Sequence, residues 1–172
     1  MALVEQPYRV AGRRSPAPAK QLDAAWISVV EQLAQSELSG LPLVTGGRSA
    51  GARVACRTAS AVGAIGVLCL AFPLVPPRRP DSEPARSRLP ELEQVRVPVL
   101  VVQGEHDRFG IPPAAPSRTI ALVGGDHGLK ADLGSVGSAV SVWLADVLRV
   151  DTAAGSENAR SSVPASAKEV RP

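Results

Sequence analysis

The sequence predicts an α/β fold in which helices flank a mostly parallel sheet. Apolar segments of strand length alternate along the chain with segments whose apolar residues recur at helical spacing. The segment VPVLVVQG, residues 97–104, is a continuous β-branched run of the kind that is buried on both faces of a parallel sheet. The polar residues best suited to chemistry follow such strands, where parallel sheets bind their ligands. We therefore predict one domain over residues 1–150, with its functional site beyond the strand ends.

The individual elements are predicted from apolar spacing and from glycine and proline boundaries. A polar, low-complexity segment over residues 151–172 is expected to be a disordered tail. In chain order we predict a strand at 2–6, a helix over 21–38 that ends near Gly40, a strand within 41–46, a helix after Ser49, a strand within 64–72, a proline-rich connection over 73–92 with one helical turn, strands at 97–104 and 118–125, and a helix over 133–150.

Composition and charge argue against several classes of function. No apolar run approaches the ~20 residues needed to cross a bilayer, and the first residues lack the basic and apolar parts of a signal peptide. The net charge is +3, but the arginines are scattered and aromatic residues are only 3%, which argues against nucleic-acid binding. Cys56 and Cys69 fit no metal-binding pattern, so we expect two buried thiols, no metal and no cofactor. We expect a cytoplasmic protein without membrane attachment.

Residues 47–51 read Gly-Arg-Ser-Ala-Gly and fit the pattern G-x-S-x-G between a predicted strand and a predicted helix. In that setting the pattern is typical of a nucleophile elbow, a tight turn that exposes the serine hydroxyl above the sheet. We expect Gly47 and Gly51 to be required because a side chain at either position would collide with a neighbouring element. The amide of Ala50 would supply half of an oxyanion hole for a substrate attacked by Ser49.

Two other interpretations of this segment stay open on pattern alone. A phosphate-binding loop would end in Lys-Ser/Thr or show the spacing G-x-G-x-x-G, and neither is present here. Alternatively, Ser49 is only the cap of the following helix. A serine nucleophile needs a base and an orienting acid, so the presence of such partners decides among these interpretations.

Asp107 and His127 are the predicted partners of Ser49, because this elbow is followed along the chain first by an acid and then by a histidine. Asp107 lies just beyond the strand at 97–104, and His127 lies in the loop GGDHGLK between the last strand and the last helix. All three residues therefore follow carboxyl ends of predicted strands. This arrangement predicts a Ser-His-Asp triad.

Two further acids and one further histidine lie close to these positions. Glu105 is nearer to the strand end than the predicted acid, and its side chain is expected to point away. Asp126 is adjacent to the predicted base and is poorly placed to reach its far ring nitrogen. Both remain alternative acids, and His106 is expected at the surface.

Six segments occur in one order along about residues 2–148: LVEQPYRVAGRRSPAP, GGRSAGARVACRTA, LCLAFPL, SRLPEL, VPVLVVQGEHDRFG and GDHGLK. Together they resemble a small α/β-hydrolase family related to dienelactone hydrolase. The family includes bacterial hydrolases, an animal testis-expressed protein and a subunit of the nonspecific-lethal histone acetyltransferase complex. The resemblance implies the α/β-hydrolase fold, with Ser49 as nucleophile, Asp107 as acid and His127 as base.

The same resemblance implies departures from the family. Relatives carry an upstream segment with the first strands and an HGAGG-like loop that supplies a second oxyanion amide, and this sequence has no such loop. We therefore expect an N-terminally incomplete fold with Ala50 as the single donor, and losing one donor costs about 100- to 1000-fold in rate. Residues 2–6 would be the fourth strand of the family, which leaves the elbow strand with an unpaired edge. We therefore expect either that Met1 is a misassigned start or that the chain self-associates. Val75 stands where relatives often carry histidine.

These observations predict a serine hydrolase that acts on small carboxylic esters or similar acyl bonds. The site should be open, because residues 73–92 are too few for a separate lid domain. The alternative is a catalytically weak or inactive α/β-hydrolase-like module that binds other proteins. The presence of all three triad residues favours the enzyme.

Overall fold

The computed structural model describes residues 1–76 and 86–161, with side chains through residue 149. These residues form the alternating α/β organisation that the sequence predicts. The strands are β1 (Val44–Arg48), β2 (Gly66–Leu70), β3 (Val99–Gly104) and β4 (Arg118–Val123), and the helices are α1 (Pro7–Val10), α2 (Ala19–Gln35), α3 (Ala50–Thr58), α4 (Leu89–Glu93) and α5 (Leu133–Ser161).

The four strands form one parallel sheet in the order β1-β2-β3-β4. The inner strand β3 has neighbours on both sides, and all six of its residues are buried, as its apolar run predicts. Because all strands run in the same direction, their carboxyl ends meet at one edge of the sheet. That edge carries the segments that follow β1, β3 and β4.

Helices cover both faces of the sheet. α3 packs against β1 and β2 on one face, and α5 packs against β3 and β4 on the other. Each face has its own apolar cluster: one is centred on α3 and includes Phe72, and the other includes Trp143 and Val147 of α5. The result is the three-layer arrangement expected for a parallel sheet.

A partly buried ion-pair network fixes α3 to its neighbours. Arg57 binds Asp23 of α2 with a shortest nitrogen–oxygen distance of 2.6 Å and Glu91 of α4 at 3.3 Å. Arg53 binds the same Glu91 through both carboxylate oxygens. Because both arginines belong to α3, the network holds in place the helix that begins directly after Ser49.

The predicted strand at residues 2–6 is wrong. These residues form no strand, and Pro7 opens the short helix α1 instead. A strand is stable only when its backbone pairs with a neighbour. Among the described residues, no strand lies along the outer edge of β1 that could provide such pairing. β1 is therefore an edge strand within the described sheet.

The C-terminal helix is longer than its apolar pattern predicts. α5 continues from residue 150 to Ser161, into the segment expected to be disordered. No proline interrupts residues 133–161, and Ala153 and Ala154 have high helix propensity. Residues 162–172 of the predicted tail, and residues 77–85 of the predicted proline-rich connection, lie outside the described residues.

The two cysteines are buried thiols, as predicted. The sulfur atoms of Cys56 in α3 and Cys69 in β2 lie 3.4 Å apart and are not joined by a disulfide. The hydrogen bond with Cys56, together with burial, raises the pKa of the Cys69 thiol well above its usual range. These thiols therefore act as small apolar groups that join α3 to the sheet.

Candidate active site

Ser49 occupies a strained turn between β1 and α3. Its backbone has φ +54° and ψ −112°, a conformation that residues with a side chain rarely adopt. The backbone amide of Ser49 donates a 2.9 Å hydrogen bond to the carbonyl of Leu70 at the end of β2. Strain of this kind costs about 1–3 kcal/mol and is concentrated at functional sites. The turn has the form predicted for a nucleophile elbow.

The two glycines of the G-x-S-x-G pattern differ in their surroundings. A Cβ atom on Gly47 would lie 2.4 Å from the carbonyl carbon of Gly51 and 2.9 Å from the backbone nitrogen of Ala52. A Cβ atom on Gly51 would meet no atom within 4 Å. The steric requirement predicted for Gly47 is confirmed, whereas the collision predicted for Gly51 is wrong because its missing side chain would face open space.

Alanine substitutions at these two glycines are expected to change stability in opposite directions. Gly47→Ala forces backbone atoms apart and should destabilise the fold by about 1–3 kcal/mol or more. Gly51→Ala, in the first turn of α3, should stabilise it by about 0.4–1 kcal/mol because alanine restricts the unfolded chain and favours helix. Urea unfolding of both variants beside the parent chain measures the two signs. Equal effects would contradict the geometry of the turn.

The side chain of His127 bridges Ser49 and Asp107. Its Nε2 lies 2.9 Å from the Ser49 hydroxyl oxygen, and its Nδ1 lies 2.7 Å from Oδ2 of Asp107. The Asp107 side chain is fully buried, whereas the imidazole is 20% exposed. With the Nδ1 hydrogen donated to the carboxylate, Nε2 is left as an acceptor for the serine hydroxyl. The three predicted residues thus form one hydrogen-bonded chain.

Close contact between two loops brings the acid and the histidine together. The loop after β3 carries Asp107, and the loop after β4 carries His127. A Cβ atom on Gly104 would lie 2.4 Å from the carbonyl oxygen of Asp126, so the two loops can touch only because residue 104 lacks a side chain. The amide of His106 also donates a 3.0 Å hydrogen bond to the carbonyl of Gly125.

The alternative acids lie outside this chain of hydrogen bonds. Glu105 and Asp126 are both exposed. Asp126 instead accepts a 2.7 Å hydrogen bond from the amide of Gly128, which shapes the histidine loop. His106 is exposed as expected. Among the three candidate carboxylates, Asp107 alone contacts the His127 ring.

Two residues around His127 were not singled out by the sequence. Phe109 packs edge-on against the imidazole with ring centres 4.4 Å apart, and its amide donates a 2.9 Å hydrogen bond to Oδ1 of Asp107. Gln103 is fully buried and donates to Oδ2 of the same carboxylate at 2.7 Å. The hydrogen bonds from the Phe109 amide and from the Gln103 side chain hold the Asp107 carboxylate in place. One sequence feature could have indicated Gln103, because it is the single polar side chain near the end of an otherwise apolar strand.

The amino terminus of α3 faces the same edge of the sheet. Ala50 is the first residue of this helix, so its amide N–H has no acceptor within the helix. The positive end of the helix dipole adds to this donor in stabilising negative charge near Ser49. The amide is therefore available for the predicted oxyanion role.

Two cavities of the described residues lie away from Ser49, which is itself partly buried. One cavity of about 500 Å³ is lined by Tyr8, Gln21 and the loop between them. A second, of about 350 Å³, is lined by the end of α3 and by residues 94–97. Neither is lined by the serine, histidine or aspartate. The described residues also contain no cluster of metal-ligating side chains and no helix able to span a membrane.

A parallel sheet flanked by helices, with a strained serine at a strand–helix turn, is the architecture of an α/β hydrolase. The chain belongs to the alpha/beta hydrolase domain family, whose model matches residues 3–144. This confirms the fold class predicted from the sequence.

Several solved structures share this fold at low sequence identity. A lid-less α/β serine hydrolase from Xanthomonas campestris is 19% identical, with a TM-score of 0.54 and coverage of 76% of this chain and 61% of that one. A monoacylglycerol lipase from Paleococcus ferrophilus is 16% identical, with a TM-score of 0.57 and coverage of 78% and 77%. A candidate α/β-superfamily hydrolase, also from Xanthomonas campestris, is 21% identical, with a TM-score of 0.50 and coverage of 73% and 72%. No curated protein matches the chain.

Proposed function

We propose that this α/β hydrolase cleaves small carboxylic esters or similar acyl bonds with Ser49 as nucleophile, His127 as base and Asp107 as orienting acid. The observation that carries the proposal is the continuous hydrogen-bonded chain Ser49–His127–Asp107 at a strained elbow. A structural turn does not require a buried carboxylate behind the histidine. The connection over residues 73–92 is too short for a separate lid domain, which supports small or exposed substrates.

In the proposed reaction, the Ser49 oxygen attacks the carbonyl carbon of the ester while Nε2 of His127 takes the hydroxyl proton. The buried carboxylate of Asp107 holds the ring tautomer and stabilises the imidazolium. The amide of Ala50 donates to the oxyanion of the tetrahedral intermediate. The imidazolium then gives its proton to the leaving alkoxide. A water molecule, deprotonated by the same nitrogen, attacks the acyl carbon, the bond to the Ser49 oxygen breaks, and the imidazolium returns the proton to Ser49 as the carboxylic acid product leaves.

A fluorophosphonate probe tests this proposal without knowledge of the substrate, because it reacts with serines that a base activates. We expect one probe molecule per chain, and peptide mass spectrometry should locate it on Ser49. A folded chain that takes up no probe, or takes it up on another serine, would contradict the proposal. The alternative, a catalytically weak or inactive protein-interaction module, predicts no uptake.

We further propose that two copies of the chain associate through the outer edge of β1. Among the described residues, that edge has no strand partner and carries a single charged residue, Arg48, which gives little protection against pairing. Light scattering over a range of concentrations should give twice the monomer mass. A monomer throughout that range would contradict this association and leave the proposed chemistry untouched.

Two finer assignments belong to the same proposal. The segments GGRSAGARVACRTA and VPVLVVQGEHDRFG support membership of the branch related to dienelactone hydrolase. A cytoplasmic location is part of the same proposal, because two cysteines outside any C-x-x-C pair suit a reducing compartment.

A further inference from the structure

Gln103 is the only polar side chain of β3, and it is fully buried. Its side-chain oxygen accepts a 2.9 Å hydrogen bond from the amide of Phe72. Its side-chain nitrogen lies 2.7 Å from Oδ2 of Asp107, 2.9 Å from the carbonyl of Gly110 and 3.1 Å from the carbonyl of Phe72. An amide nitrogen has two hydrogens, so one of them is shared, and the shortest contact is to the charged acceptor.

These contacts fix the orientation of the amide. Reversing it would place the side-chain oxygen against the Asp107 carboxylate and the NH₂ group against the amide N–H of Phe72. The side-chain oxygen would then face the carboxylate oxygen, and the NH₂ group would face the backbone N–H. Neither pair can form a hydrogen bond, which is costly in a buried site. Gln103 therefore presents a donor to Asp107 and cannot offer it an acceptor.

One side of this amide is bonded to the segment after β2, the strand next to the one that ends at Ser49. Gln103 pairs with both the amide and the carbonyl of Phe72, as a neighbouring backbone segment would. Phe72 follows β2 by two residues, and Leu70 at the end of that strand accepts the hydrogen bond from the Ser49 amide. The other side of the same amide holds the acid that binds His127.

These contacts form a continuous chain that begins at the backbone amide of Ser49 and ends at its hydroxyl oxygen. It passes from the Ser49 amide to the end of β2, through Gln103 to the acid, and through the histidine back to the Ser49 oxygen. Among the residues that the structure describes, the donor to Oδ1 of Asp107 is the amide of Phe109. On the Oδ2 side, Gln103 is the donor that stands beside His127.

We propose that Gln103 is a positioning residue that sets the placement of Asp107, and through it that of His127, relative to the elbow. The inference rests on the proposed function for its effect on rate. A purely structural role would be served by an apolar side chain, as at the four preceding positions of β3, Val99 to Val102. The buried amide is needed because it joins the acid to the segment after β2, whose Leu70 carbonyl binds the Ser49 amide.

Two substitutions separate the two sides of the amide. Gln103→Met has nearly the same length and no hydrogen-bonding group at its end. Gln103→Glu keeps an oxygen that can accept from the Phe72 amide but places a second carboxyl group against Asp107, where the two groups either repel each other or share a proton. We expect each to slow fluorophosphonate labelling about 10- to 100-fold, the effect of losing a hydrogen bond to a charged group. Labelling of a folded Gln103→Met near the parent rate would overturn the proposal, because no group at position 103 then donates to Asp107.

A proton NMR measurement gives a readout that does not depend on activity. The ring hydrogen between His127 and Asp107 should give a downfield resonance in the parent chain, and this resonance should move or disappear in both Gln103 variants. Thermal unfolding identifies the variants that fold, and either one alone is sufficient for the comparison. An unchanged resonance in a folded variant, or its absence from the parent chain, would overturn the inference. A parent chain that shows the resonance but takes up no probe would instead contradict the proposed function.

Discussion

Replacing Ser49 with alanine is expected to reduce fluorophosphonate labelling to background, at least about 10⁴-fold below the parent chain. The probe bonds to the serine oxygen, and alanine has none. The substitution keeps the Cβ atom, so the strain at φ +54° is the same in both chains and the fold should be retained. In-gel fluorescence, together with unfolding curves for both proteins, measures labelling and folding separately.

Ser60→Ala is the matched control for this experiment. Ser60 is exposed and lies just beyond the end of α3, at the opposite end of the helix from Ser49. Its substitution should leave the labelling rate within about twofold of the parent, as expected of a surface change. Labelling that persists in Ser49→Ala would show that another serine reacts and would contradict the assigned nucleophile.

Asp107→Asn is expected to slow labelling by about 10⁴-fold while leaving the fold intact. The new amide nitrogen would face Nδ1 of His127 and favour the tautomer that carries its hydrogen on Nε2. That tautomer cannot take the proton of Ser49. The remaining side-chain oxygen, at the former Oδ1 position, can still accept from the amide of Phe109, whereas the new NH₂ group meets the Gln103 amide nitrogen, which should cost about 1–3 kcal/mol of stability. Second-order labelling rates measure the effect.

Asp126→Asn and Glu105→Gln test the alternative acids in the same assay. Both side chains are exposed, and asparagine at position 126 can still accept from the amide of Gly128. Each variant should label within about twofold of the parent. A loss in either that equals the loss in Asp107→Asn would reassign the acid. Each of these two variants also removes one negative charge from the loops after β3 and β4. They therefore control for the loss of charge in Asp107→Asn.

The strongest sequence predictions rest on local patterns with a single structural solution. The apolar run 97–104 gave the inner strand β3, because only a position with neighbours on both sides buries every residue. G-x-S-x-G between a strand and a helix predicted the turn at Ser49, since the pattern includes a glycine, Gly47, where a side chain would overlap the backbone of the next helix.

The incorrect predictions concern features that depend on distant parts of the chain. Residues 2–6 have strand-like composition, but a strand needs a partner and none is present beside them in the described sheet. Gly51 fits its pattern as well as Gly47 does, yet the space around it is open. Gln103 reads as the penultimate residue of a strand. Its four side-chain contacts are with Phe72, Asp107 and Gly110, which lie in loops whose positions the sequence pattern does not predict.

The sequence by itself determined which residues are available for chemistry and in which order they follow the strands. It has two histidines, and one of them follows the last strand, so Ser49, Asp107 and His127 could be predicted without coordinates, although Glu105 and Asp126 stayed open as alternative acids. The tertiary structure decided the distances. Ser49 and His127 are 78 residues apart in sequence, and they meet at 2.9 Å because parallel pairing aligns the strand ends and a glycine at 104 lets two loops touch. Such contacts depend on packing between segments, which local residue patterns do not encode.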